Sequence, residues 1–106
     1  MTRVCVEPGI CGLSATVDAQ RTGQTEVQIT IESDCEKVMA LDSHLDKVSL
    51  VDVLGKPLNR SAVYEKAGRC ELHGSCPIPC AVMKAAEAEL QLALKKSITI
   101  TFHEDS

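Results

Sequence analysis

Six cysteines, at positions 5, 11, 35, 70, 76 and 80 of a 106-residue chain, are the residues with the most chemistry to offer. A thiolate is both a nucleophile and a soft metal ligand, and its availability is set by the local pKa. Spacing alone does not say which role applies. Cys76-Pro77-Ile78-Pro79-Cys80 is a C-x₃-C pair, whereas redox motifs and zinc knuckles usually use C-x₂-C. Cys70 to Cys76 and Cys5 to Cys11 match no standard ligand spacing. The signal comes from the set: three thiols beside turns or helix starts, and His73 between Cys70 and Cys76. The competing reading of each cysteine is a buried small hydrophobe, which the residue often is. Among the other titratable groups, His44 reads as solvated surface and His103 as an exposed tail. Asp34, beside Cys35, reads first as a helix cap.

Compartment decides what six cysteines mean. The opening residues Met1 to Pro8 contain no apolar stretch of a secretory signal, and no run approaches the ~20 apolar residues that span a bilayer. These features point to a cytoplasmic protein with reduced thiols and no membrane association. Three disulfides are the alternative if the chain is a mature secreted form. The net charge of -4 and the absence of any Lys/Arg cluster beyond Lys95-Lys96 argue against nucleic acid as a partner. Only Tyr64 and Phe102 are aromatic, so there is no stacking platform for single strands either. A protein partner and the oligomeric state are left open.

Hydrophobic periodicity predicts the elements that position the thiols. Leu13, Ala15, Val17 and Ala19 alternate with polar residues, as do Val27, Ile29 and Ile31, with a hairpin turn over Arg21 to Gln24. Ile98, Ile100 and Phe102 alternate with Thr99 and Thr101 and predict a further strand; Arg3 to Val6 adds a short one. A first helix follows Ser33-Asp34, with Val38, Leu41 and Leu45 at helical spacing. A second runs from about Arg60 to Ala67 and stops at Gly68. A third opens at Pro77-Ile78-Pro79 and continues to about Leu94, with Ile78, Ala81, Val82, Ala85, Ala86 and Ala93 on one face. Glu89 falls inside that face, so either this helix ends earlier or the carboxylate is paired. Val48 to Val53 reads equally as strand or connection. The expectation is one α+β domain over residues 1–106. It is a two-layer sandwich: a mainly antiparallel sheet of three to five strands with about three helices on one face.

This arrangement predicts a meeting point. A hairpin centred near Thr22 sets Cys11 opposite Ser33, with Cys35 at the same sheet edge in the first turn of the first helix. Cys76 precedes the third helix, where free N–H groups and the dipole favour a thiolate. If the final strand runs parallel to Val27–Ile31, Cys11, Cys35 and Cys76 converge, with His73, Cys70 or His103 as a fourth member. Cys80 falls on the polar side of its helix and should point outward. Cys5 has the parity of the opposite sheet face.

The blocks Pro8-Gly9-Ile10-Cys11-Gly12, Ser33-Asp34-Cys35 and His73-Gly74-Ser75-Cys76-Pro77-Ile78-Pro79, with Lys84-Ala85-Ala86-Glu87, resemble a family of small uncharacterised cysteine-containing proteins from anaerobic bacteria and archaea. The resemblance covers most of the chain and highlights Cys11, Cys35 and Cys76. It implies no activity. An anaerobic setting would favour an oxygen-sensitive thiolate or iron–sulfur centre.

The leading functional expectation is therefore a zinc or iron–sulfur site held by Cys11, Cys35, Cys76 and His73. The alternatives are a thiol redox enzyme or sulfur carrier with Cys76 as a low-pKa nucleophile, and a non-catalytic interaction subunit.

Overall fold

The computed structural model describes residues 1–104. Four strands form an antiparallel meander in chain order: β1 (Thr2–Val6), β2 (Ala15–Arg21), β3 (Glu26–Ser33) and β4 (Lys47–Ser49). Alternation along β2 and β3 puts Ala15, Val17, Ala19, Val27, Ile29 and Ile31 on one buried face. The opposite face is polar. On it Arg3 meets its cross-strand partner Asp18 in a two-bond pair of 2.7 and 3.0 Å. The helical layer comprises α1 (Glu36–His44), the short α2 (Leu50–Val53), α3 (Ala62–Arg69) and α4 (Ile78–Glu89). The chain is thus α+β, with its helices over one face of an antiparallel sheet.

Helix α4 lies across β1 and β2. Proline occupies its first turn, where a missing N–H costs nothing, and Pro79 is buried. Its sheet-facing residues are Ile78, Ala81, Val82, Ala85 and Ala86, all buried; Val82, Ala85 and Ala86 have no exposed surface. Small side chains let the helix axis approach a face that is itself built from Ala15, Val17 and Ala19.

The helix ends at Glu89, short of the Leu94 boundary suggested by its apolar spacing, so Ala93 and Lys95-Lys96 lie beyond it. Gln91 adopts a left-handed conformation (φ 62°), with Leu92 N–H donating to Glu87 C=O and Gln91 N–H to Ala88 C=O. This is a Schellman stop formed without glycine. Helix α3 ends the same way. Glu71 (φ 60°) takes the left-handed position, Leu72 N–H donates to Ala67 C=O, and Glu71 N–H donates to Gly68 C=O. Gly68, expected to terminate this helix, lies inside it.

Glu89 is also paired. Its carboxylate accepts from Thr2 Oγ1 (2.9 Å) and Arg21 N–H (2.8 Å) and lies 3.7 Å from the N-terminal ammonium. One side chain thereby ties the end of α4 to the start of β1 and the end of β2. The Arg21 N–H bond, first, and then Thr2 hold its carboxyl below the ordinary range against the opposing effect of burial.

Three expectations are corrected. The hairpin register sets Ala15, four residues after Cys11, opposite Ser33, and the loop is centred near Gln24 rather than Thr22. The Val48–Val53 segment divides into β4 and α2 at Ser49, which forms a reciprocal capping box with Asp52. Residues Ile98 to Phe102 join no strand of the sheet. They lie in no regular element and are exposed, with Ile100 at 88% and Phe102 at 96%.

Replacing Ala85 by Leu should destabilise the fold by about 1–3 kcal/mol through overpacking at a site with no exposed surface. Urea unfolding measures it directly. Glu89→Ala should cost about 1–3 kcal/mol near neutral pH, from the lost charge-assisted hydrogen bonds. Because folding lowers the Glu89 pKa, its contribution is complete above the unfolded carboxyl pKa and fades as pH falls through the lower folded value. The gap between wild type and Glu89→Ala in urea midpoint should therefore narrow in acid.

Candidate functional site: a cysteine-lined pocket

At the end of the sheet opposite Glu89, a cavity of about 190 Å³ opens between three segments. Pro8, Ile10, Cys11 and Leu13 line it from the β1–β2 connection, Cys35, Lys37 and Val38 from the start of α1, and Leu72, His73, Ser75, Cys76, Pro77 and Ile78 from the approach to α4. Cys11, Cys35, Cys76 and His73 thus line one pocket. The route is not the expected one. No parallel C-terminal strand contributes; the connection from α3 brings the chain to this corner, where α4 starts.

Each thiol is placed by a local backbone device. Cys11 ends a single 3₁₀ turn, Gly9–Cys11, between two glycines with left-handed dihedrals, Gly9 (φ 84°) and Gly12 (φ 69°). Gly12 N–H closes the turn on Gly9 C=O at 3.0 Å. The turn interrupts the alternation before β2, so Cys11 sits on an exposed loop instead of inside the strand. Cys35 is the N-cap of α1, one position earlier than expected, and Asp34 does not cap the helix. Its N–H donates to Ser33 Oγ (3.1 Å), and Ser33 Oγ donates to Ser14 C=O (3.0 Å), which tethers the start of α1 to the loop entering β2. Cys76 N–H donates to His73 C=O at 3.0 Å, folding His73 back over the same turn.

Cys35 and Cys76 are half-buried; Cys11 and His73 are exposed at the rim. The electrostatics of Cys76 run opposite to the expectation of a low pKa. Burial raises it first, and the neighbouring Cys35 and Cys11 sulfurs add to the rise. The Ile78 N–H at the α4 start opposes them without prevailing. A helix terminus lowers a thiol pKa only as far as it outweighs the cost of taking the charge out of water. Beside Lys37, His73 and Ser75, the pocket wall carries the aliphatic Ile10, Leu13, Leu72 and Ile78.

The remaining candidates stand elsewhere. Cys70 caps the end of α3 against the core and does not line the pocket, and neither does His103. Cys80 is half-buried rather than outward-facing; it lies against Tyr64 of α3, whose hydroxyl pKa is raised by burial and then by Cys80. Cys5 is exposed on the polar face, as its parity indicated. His44 is exposed, with Nδ1 2.8 Å from Ala40 C=O. Among the described residues, no group of three or more His, Cys, Asp or Glu side chains stands in a metal-holding arrangement. Among the described residues, no helix is long and apolar enough to cross a membrane.

The family model of DUF6951 matches residues 2–102. The chain belongs to this family of unknown function. No curated protein and no solved structure matches it. For this member of DUF6951, the match spans all three segments that supply the pocket thiols, and it reaches the exposed Ile98–Phe102 segment as well.

The raised pKa of Cys76 has a direct consequence for reactivity, since only the thiolate is alkylated. Under reducing conditions near neutral pH, iodoacetamide should label exposed Cys5 and Cys11 well before Cys76, as followed by peptide mass spectrometry. Cys76 labelling first would mean that the pocket stabilises the thiolate.

Proposed function

We propose that this protein is a soft-metal-binding domain, in which Cys11, Cys35 and Cys76 with His73 take zinc or an iron–sulfur cluster at the mouth of the pocket. The observation that carries this reading is the assembly of three thiols and an imidazole, from three separate segments, around one cavity. Sulfur ligands select zinc and iron–sulfur clusters over hard cations. Three thiolates with one imidazole form a common structural zinc set, and three thiolates alone leave one iron of a cubane cluster open.

The same electrostatics that disfavour Cys76 as an isolated nucleophile suit it as a ligand. Burial and two sulfur neighbours make a lone thiolate costly, and a bound cation reverses both effects. Ligation requires the sulfurs to draw closer than they stand in the ligand-free protein. The Cys11 turn is exposed, and the space beside Gly9 and Gly12 is open. Binding also releases thiol protons, so affinity should rise with pH.

The test is metal content and an absorption spectrum on protein purified without oxygen, beside a Cys11→Ser/Cys35→Ser/Cys76→Ser variant. Near-stoichiometric zinc, or iron with sulfide-to-iron charge-transfer absorption, lost in the folded variant, is the expected result. Metal-free wild type that stays metal-free after anaerobic addition of zinc or iron and sulfide would overturn the reading.

A further inference from the structure

The sheet has two edges, and the chain treats them differently. On the β4 side, only Glu26 to Gln28 of β3 find strand partners. The exposed remainder of β3 is managed by α1 and the turn after it: Asp42 Oδ1 accepts from Ile31 N–H at 2.8 Å, and Asp46 C=O accepts from Ile29 N–H at 3.0 Å. On the other side, β1 is outermost along all five of its residues, Thr2 to Val6. It carries no proline, bulge or lysine, the usual devices that discourage edge pairing. Its one charge, Arg3, is already held by Asp18 on the polar face.

The same chain carries an unused strand. Ile98 to Phe102 alternates apolar and threonine residues over five positions, the length of β1. It lies in no regular element, outside the sheet, and exposes Ile98 at 59%, Ile100 at 88% and Phe102 at 96%. Isolated exposed apolar residues are ordinary, but three at a two-residue period on β-favouring backbone describe half of a strand pair. Its two faces match the β1 edge. Ile98, Ile100 and Phe102 would continue the apolar layer of half-buried Val4 and buried Val6. Thr99 and Thr101 would continue the polar face of Arg3, Thr16, Asp18 and Thr30. The family match includes both pieces, since it runs from residue 2 to residue 102.

We infer that Ile98–Phe102 of one molecule adds as a fifth strand to the β1 edge of a second copy, making a reciprocal, strand-exchanged dimer. Donor and acceptor reside on one chain, so a two-fold axis satisfies both at once and leaves no open end. Beyond the left-handed residue Gln91, Ile98–Phe102 is exposed and accessible to another molecule. Main-chain hydrogen bonds along β1 would supply affinity, and the apolar triplet would supply register.

The experiment compares full-length wild type with Ile100→Pro, both under reductant so that no intermolecular disulfide contributes. Proline removes a ladder donor at Ile100, a residue 88% exposed, so the fold itself should be unaffected; far-UV circular dichroism checks this. Sedimentation equilibrium should give a wild-type dimer and an Ile100→Pro monomer. Hydrogen exchange should show β1 amides protected in the dimer and losing that protection in the variant. Ile100→Thr, which keeps strand propensity but loses apolar area, should weaken the dimer without abolishing it. A wild type that is monomeric at all concentrations overturns the inference, including the case in which β1 is protected by the molecule's own tail. A dimer that survives Ile100→Pro also overturns it, as does one whose loss leaves β1 exchange unchanged.

Discussion

The close seating of α4 on β1 and β2 is the constraint on which the rest of this structure depends. A chain with two aromatic residues cannot fill a core with a few large side chains. It reaches interior density by bringing elements together until Ala81, Val82, Ala85 and Ala86 of α4 are buried in one core with Val6, Ala15, Val17 and Ala19 of the sheet. Such a seam tolerates little sliding, because each alanine leaves no free volume and offers no rotamer to adjust. The two ends of α4 are therefore fixed together. At one end Glu89 locks onto Thr2 and Arg21; at the other, Cys76 is held at the corner where α1 begins. The thiol pocket and the carboxylate clasp are opposite ends of one rigid connection.

The pocket shows what a helix start does and does not do for a thiol. An N–H at the first turn does reach Cys76, and its effect has the expected sign. Burial among aliphatic walls and the company of two further sulfurs act in the other direction and win. Sequence can suggest a helix terminus beside a cysteine, but the dielectric around the sulfur depends on residues as distant as Leu13 and Leu72. Electrostatic outcome is a property of the assembled corner, and this is where reasoning from a local motif fails.

Much of the fold was legible because period-two and helical apolar patterns are local. The β2–β3 hairpin, the three longer helices and the polar outer face all follow from such patterns, and so does the side of the sheet on which Cys5 lies. The errors have a common origin in competition between local signals. Gly68 looked like a helix stop, yet α3 passes through it and spends its left-handed position on Glu71. Leu13 looked like strand, yet Gly9 and Gly12 impose a turn that delays β2 until Ala15; separately, a hairpin centred near Gln24 rather than Thr22 moves the partner of Ser33 by four residues. The meeting of Cys11, Cys35 and Cys76 survived that shift because it rests on topology. Loops at one end of a meander, and the start of a helix packed antiparallel to β1, come to the same corner under either register.

The strand-like pattern of Ile98–Phe102 shows the limit of periodicity in a different way. The alternation states that a segment is suited to pair; it contains no information on the molecule to which the partner belongs. Within one chain, pairing must be compatible with where the preceding element ends. Helix α4 ends in a left-handed turn closed by two carbonyl bonds beside Glu89, and Ile98–Phe102 beyond it joins no strand of its own chain. The stop that secures the helix end at the clasp is thus followed by an exposed segment whose pattern suits it to pair with another chain.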